Sequence, residues 1–146
     1  FIFLAKGKRQ LMNEKKLIEQ WQIAYNKVLR PKLFLGKMDF IRCTDAIRWK
    51  DLPLDEGTIW GGEPAANLFD GYLSPEIMTL YTNKSIKELT STRKLRPSQK
   101  GKILVYKRFW DSKVLKQTPS FLIYADLMES GDSRCWEAAQ RIINNK

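Results

Sequence analysis

WGGEPAANLFDGYLSPEIMTLYT, residues 60–82, is the stretch from which the fold reads. Gly61 and Gly62 allow a tight or positive-φ turn. Pro64 suits the first helical position, where a missing N–H is no loss. Ala65, Ala66, Leu68 and Phe69 then make a small apolar helix that Gly71 can terminate. Ser74-Pro75 turns the chain again, and Ile77 to Thr82 is β-branched and aromatic enough for a core strand. Helix followed by strand predicts an α+β unit, and no catalytic signature falls inside it.

Upstream, FIFLAKGKRQLM (residues 1–12) reads as a β-hairpin, with strands Phe1–Leu4 and Arg9–Met12 around a turn carrying Lys6, Gly7 and Lys8. Its basic tip of Lys6, Lys8 and Arg9 suits phosphate contact, and equally suits a solvated turn. Phe1 is not a start methionine, and FIFL has the look of a strand cut from a longer chain. Asn13 then reads as the N-cap of a helix over 13–29, with Leu17, Ile18, Trp21, Ala24, Tyr25, Val28 and Leu29 on its apolar face and Pro31 as its stop. Residues 32–42 read as extended, with a bend or bulge at Gly36. A short helix comes after Thr44.

Downstream of the central unit, Ser85 to Glu88 fits a capping box for a short helix to about Ser91. Lys94–Pro97 and Lys102–Lys107 read as a second hairpin. Residues 120–130 predict a helix with Leu122, Ile123, Ala125 and Leu127 inward. Gly131 ends it, and Asp132 caps a last helix whose apolar face is Cys135, Trp136, Ala139, Ile142 and Ile143. Asp126 sits among apolar neighbours and calls for a charged partner, for which Arg134 stands just past the connecting turn.

Composition narrows the chemistry. The chain of 146 residues carries 26 basic and 16 acidic residues, a formal charge of +10. That balance favours nucleic acid, an acidic protein or an anionic surface as partner. Between Lys84 and Lys116 stand eleven basic residues against Glu88 and Asp111. Arg93, Lys94, Arg96, Lys100, Lys102, Lys107 and Arg108 form the candidate basic patch. There is no histidine, which removes the commonest general base and every Ser-His or Cys-His nucleophile. Cys43 and Cys135 form no metal-binding spacing and read as reduced core thiols of a cytoplasmic protein. No apolar run is long enough for a membrane span, and no signal peptide opens the chain. No cofactor or metal is expected. The acids Glu63, Asp70 and Glu76, with Asp126, supply the material for a second reading, a divergent Mg²⁺-dependent nuclease or nucleotide-handling enzyme.

Taken together, LRPKLFLGK (29–37), the 60–82 stretch, KRFWD (107–111) and YADLMESGDSRCWEAAQRI (124–142) resemble the AbiEi-type antitoxins, transcriptional regulators of bacterial type IV toxin–antitoxin, or abortive-infection, systems. Where such sequences read ADL-x-x-SGDPR, this chain has Ser133 in place of the proline. The resemblance implies a non-enzymatic phage-defence regulator with no catalytic residues. It also implies a DNA-binding winged helix-turn-helix whose wing is residues 1–12 and whose recognition helix lies before Phe1. Residues 13–146 are then the C-terminal domain. The family represses its own operon and counteracts a partner nucleotidyltransferase toxin. The expected fold is α+β: a wing-like hairpin and long helix, then a small mixed or antiparallel sheet with flanking helices. A pure protein-interaction domain holding an acidic partner is the third reading.

Overall fold

The computed structural model describes residues 8–54, 56–110 and 117–144. The chain begins there with a helix. Helix α1 spans Lys8–Ala24, continues through a π-helical turn at Tyr25–Leu29 and ends as α2, Arg30–Leu33. This corrects the hairpin: Arg9–Met12 is helix, not strand, and α1 runs without a break through Asn13. Arginine, glutamine, leucine and methionine all favour helix, and none is β-branched. The rest of the expected hairpin, residues 1–7, lies outside the described residues. Pro31 does not stop the helix either. The wide turn ahead of it, in which the Arg30 N–H donates to the Tyr25 carbonyl five residues back, takes up the clash its ring would make with the Lys27 carbonyl. Ile18, Trp21 and Tyr25 turn inward as expected, whereas Leu17, Val28 and Leu29 lie exposed.

Five strands come next: β1 Phe34–Phe40, β2 Thr58–Gly61, β3 Met78–Thr82, β4 Leu95–Pro97 and β5 Ile103–Lys107. They form one mixed sheet in the order β2-β3-β5-β1-β4. The β3–β5 pair is parallel and the other three are antiparallel. The helices are α3 (Cys43–Ile47), α4 (Gly62–Asp70), α5 (Ile86–Thr90), α6 (Ser120–Glu129) and α7 (Ser133–Asn144), with a 3₁₀ turn at Trp49–Asp51. The helix and strand of the central unit appear, but α4 starts at Gly62, so that Pro64 is its third residue and not its first, and Leu68 and Phe69 are exposed. Helix α4 ends at Gly71 in the left-handed region, and β3 is buried along its whole length. Ser85 and Glu88 close a reciprocal capping box, and the Asp132 carboxylate accepts the Arg134 N–H at 2.9 Å to cap α7.

Both faces of the sheet are covered. On one, Trp60, Leu80, Val105, Met78, Ile103 and Met38 pack beneath Trp49, Leu52 and Leu89. On the other, Tyr81 and Tyr106 meet Tyr25 and the Leu122–Ala125 side of α6. Behind them α4, α6 and α7 close on Ala65, Ala66, Leu127, Cys135, Ala139 and Ile142. Cys135 is a core thiol as expected, but Cys43 opens the short surface helix α3 and is exposed. Trp136 is exposed too, and Ala138 takes its place on the buried face of α7.

The second expected hairpin is replaced by a crossover. β4 and β5 do not pair with each other; each pairs with β1, on opposite sides, and Pro97 and Ile103 both stand across from Met38. The segment from Ser98 to Lys102 carries the chain from one side of β1 to the other. Gly101 passes so close that a side chain there would overlap the Met38 carbonyl. β1 offers two unsatisfied edges, and one polypeptide segment satisfies both, half a strand on each. Gly101→Ala should therefore cost about 1–3 kcal/mol through overpacking. The urea unfolding midpoint should fall, with amide exchange quickening first in β4, and an unchanged midpoint would show that the crossover has slack.

Candidate functional site

Two clusters of charge and one basic surface are the places where this chain could act. The first cluster is buried. Asp126, in the middle of α6, has a side chain only 1% exposed, and Arg30 pairs with it through Nη1. The Tyr81 hydroxyl lies 2.7 Å from one carboxylate oxygen and 2.9 Å from the other, and the Gly62 N–H donates to it at 3.1 Å. Tyr25 and Tyr81 hydroxyls stand 3.3 Å apart, and the Arg30 guanidinium lies 4.5 Å over the Tyr106 ring. The expected partner, Arg134, is elsewhere. α6 and α7 are antiparallel, and the capping turn keeps Arg134 at the exposed end, away from mid-helix Asp126.

The glycine pair exists for this cluster. A Cβ at Gly61 would run into the Tyr81 ring, which crosses it to reach Asp126. Gly62 has φ of 51°, and a Cβ there would stand 2.5 Å from Thr79 Oγ1. The π-turn contributes as well: its extra residue rotates Arg30 by about 100° relative to its place on an uninterrupted helix. Burial pushes the Asp126 carboxyl upward, opposed by the Arg30 charge and the Tyr81 hydrogen bond. Burial works against the Arg30 charge, and Asp126 more than offsets it. Tyr25 is pushed up to about 12, by burial first and the Asp126 charge second. Every polar group of the carboxylate is taken, so the geometry is that of a structural centre.

The second cluster lies at the surface end of α7. Arg134 meets Glu63 at 3.0 Å, Glu76 at 2.9 Å and Asp132 at 3.6 Å, and donates to the Ser74 carbonyl at 2.8 Å. Asp70 is paired with Arg141 at 2.9 Å. The four carboxylates of the nuclease reading are thus divided among three arginines. Among the described residues, no group of three or more Asp, Glu, Cys or His side chains could hold a metal ion.

The basic residues divide by the sheet. Arg93, Arg96, Lys100 and Lys102 are exposed around β4 and the crossover, with Lys94 half-buried beside them. Lys107 and Arg108 stand at the far end of β5, Lys107 roughly 17 Å along the strand from Lys102. Arg108 lies 4.9 Å over the Trp110 ring. Lys6 lies outside the described residues, and Lys8 and Arg9 are the first two residues of α1. Sequence reasoning missed Arg30, Tyr25 and Tyr81 as partners of Asp126. Only the oddity of an arginine at the end of an apolar helix face, just ahead of Pro31, could have pointed to the first of these.

Removing one member of the buried pair leaves the other charged and unpaired. Asp126→Ala is expected to cost about 3–5 kcal/mol, and Arg30→Met with Asp126→Leu to recover part of it. Denaturant melts of the three proteins check this; equal stability of single and double variants would show the pair to be uncoupled. Alkali tests the same centre. Tyrosine in the unfolded chain loses its proton near 10, whereas folded Tyr25 holds it to about 12. Its contribution is therefore complete below pH 10 and lost as pH rises through 12. The unfolding midpoint should fall across that window, less steeply in Tyr25→Phe.

No helix among the described residues is long and apolar enough to cross a membrane. No curated protein and no solved structure matches the chain. A protein-family model does match, over residues 10–146, and its description is a transcriptional regulator, the AbiEi antitoxin of a type IV toxin–antitoxin system. With that match running from the first helix to the last residue, the chain belongs to the AbiEi antitoxin family of transcriptional regulators.

Proposed function

We propose that this chain is the toxin-counteracting C-terminal part of a non-enzymatic, cytoplasmic DNA-binding regulator that represses its own operon. The observation that carries the reading is the segregation of charge within a family of regulators. Eleven basic residues against two acidic ones fall between Lys84 and Lys116, and four that are exposed, Arg93, Arg96, Lys100 and Lys102, gather at β4 and the crossover. Lysine and arginine placed this way suit phosphate contact, which supplies affinity without sequence reading. Sequence reading would fall to a winged helix-turn-helix, in a longer chain carrying helices ahead of Phe1. Lys6, Lys8 and Arg9 join the phosphate contacts in this proposal, the last two from the first turn of α1 and not from a hairpin.

The same face suits an acidic partner, and the partner implied is a nucleotidyltransferase toxin. Catalysis by this chain has little to recommend it, because the acids that could serve are each held by an arginine.

Promoter binding by the longer protein should weaken steeply with salt. Lys100→Glu with Lys102→Glu should weaken it on every sequence alike and lower the slope of log K against log salt by about two. Titrations by fluorescence anisotropy at several salt concentrations decide this; salt-independent binding would sink the DNA reading. Relief of toxin-induced growth arrest by this chain alone tests the antitoxin half, and the same double substitution tells whether the basic face serves both.

A further inference from the structure

One end of the helix-covered sheet face is left open. Helices α4 and α6 cover β2 and β3, and the end of the first helix reaches β5, but Phe34 on β1 remains 41% exposed. Its ring ends a row that crosses three strands. Tyr81 lies 5.8 Å from Tyr106, and Tyr106 lies 5.4 Å from Phe34. Beside Phe34 is an open groove of about 390 Å³, lined by Phe34, Lys37, Pro97, Ser98 and Gln99.

Phe34 and Lys37 share this face only because of the bulge at Gly36. Three residues apart on a regular strand, they would point to opposite faces. The register slips between Phe34 and Gly36, so that Phe34 stands across from Tyr106 and Lys37 across from Leu104, both on the helix side. Arg96 stands across from Asp39, whose Oδ1 accepts the N–H of Phe40, and this pair continues the same face. Lys32, Lys37, Arg96 and Lys100 are all exposed around it, and Asp39 is half-buried. The groove therefore offers an open aromatic ring, cationic side chains on either side, and the Ser98 hydroxyl and Gln99 amide at its wall.

We propose that this groove binds an unpaired nucleotide of single-stranded nucleic acid, its base stacked on Phe34 and its phosphate held by Lys37 and Arg96. An aromatic platform with flanking cations is what sequence-tolerant binding of single strands requires. A duplex cannot use it, because its bases are paired and stacked and present no free face. This property goes beyond promoter binding and stands on different residues from those that read a groove.

The experiment compares labelled oligothymidylate, oligouridylate and the promoter duplex by anisotropy, with wild type, Phe34→Leu and Phe34→Tyr. Leucine keeps an apolar contact on Tyr106 but offers no ring, and thermal unfolding checks that both variants are folded. Loss of a stacked base should weaken single-strand binding about tenfold in Phe34→Leu. Phe34→Tyr should bind as wild type, and duplex binding should be unchanged in both. Oligodeoxyuridylate set against oligouridylate, which differ only in the sugar, identifies the strand as DNA or RNA. Failure of the wild type to bind either one, undiminished binding by Phe34→Leu, or an equal loss on the duplex would overturn the proposal.

Discussion

A carboxylate buried in the middle of a helix has to be answered, and most of this structure can be understood as the answer. Leaving an ionised Asp126 unpaired inside the protein would cost several kcal/mol. Its partners come from three separate parts of the chain: Arg30 from the end of the first helix, Gly62 from the start of α4, and Tyr81 from β3. They are 96, 64 and 45 residues away in sequence. None can be in place unless α1, the central unit and α6 are all docked. The centre thus ties the first helix, α4 and β3 to α6 through one side chain. It also accounts for local features that would otherwise look like defects, namely the π-turn before Pro31 and two adjacent glycines where a strand becomes a helix.

The same logic sorts the charges. From Asp51 to Asn83 the sequence contains acids and not one lysine or arginine. The arginines that answer those acids arrive from the last helix: Arg134 to Glu63 and Glu76, and Arg141 to Asp70. Among the described residues, Lys94, Lys100 and Lys102 around β4 and the crossover are joined to no acid. Three arginines, Arg30, Arg134 and Arg141, use their fixed fork of donors for architecture, whereas Arg93 and Arg96 stand exposed with the lysines. A net charge of +10 spread evenly would say only that the protein is basic. Its concentration around β4 and the crossover, where Arg93, Arg96, Lys100 and Lys102 are exposed together, is what suits that side to an anion.

Much of the fold was legible because it rests on local chemistry. The Ser85–Glu88 box, the Gly71 stop, the β-branched β3 and the apolar faces of α6 and α7 each depend on residues a few positions apart. What failed depended on partners far along the chain. Lys94–Pro97 and Lys102–Lys107 read as a hairpin because nothing local reveals that β1 will lie between them. Closeness in sequence points Asp126 to Arg134, yet helix geometry parts them and the π-turn brings Arg30 instead. Arg9–Met12 differs for another reason: a basic turn with a glycine resembles a hairpin tip, although the residues after it favour helix. The candidate site was the least legible. Basic residues can be counted, but which of them share a face is a property of the sheet order.

The bulge at Gly36 shows how small the margin between architecture and working surface can be. A strand with strict alternation would put Phe34 on the helix side and Lys37 on the side packed by Trp49 and Leu52, where a charged head would have no partner. One extra residue in β1 corrects the phase for Lys37 and keeps Met38 and Phe40 in the core, with Phe34 still against Tyr106. The correction also leaves an aromatic ring and a lysine side by side at the open end of the sheet. β4 is too short to cover them, because the chain leaves it at Pro97 to cross β1 and become β5. The crossover that completes the sheet and the opening at its edge are therefore one feature. A chain that satisfied both sides of β1 with two full-length strands would have a larger sheet and no groove.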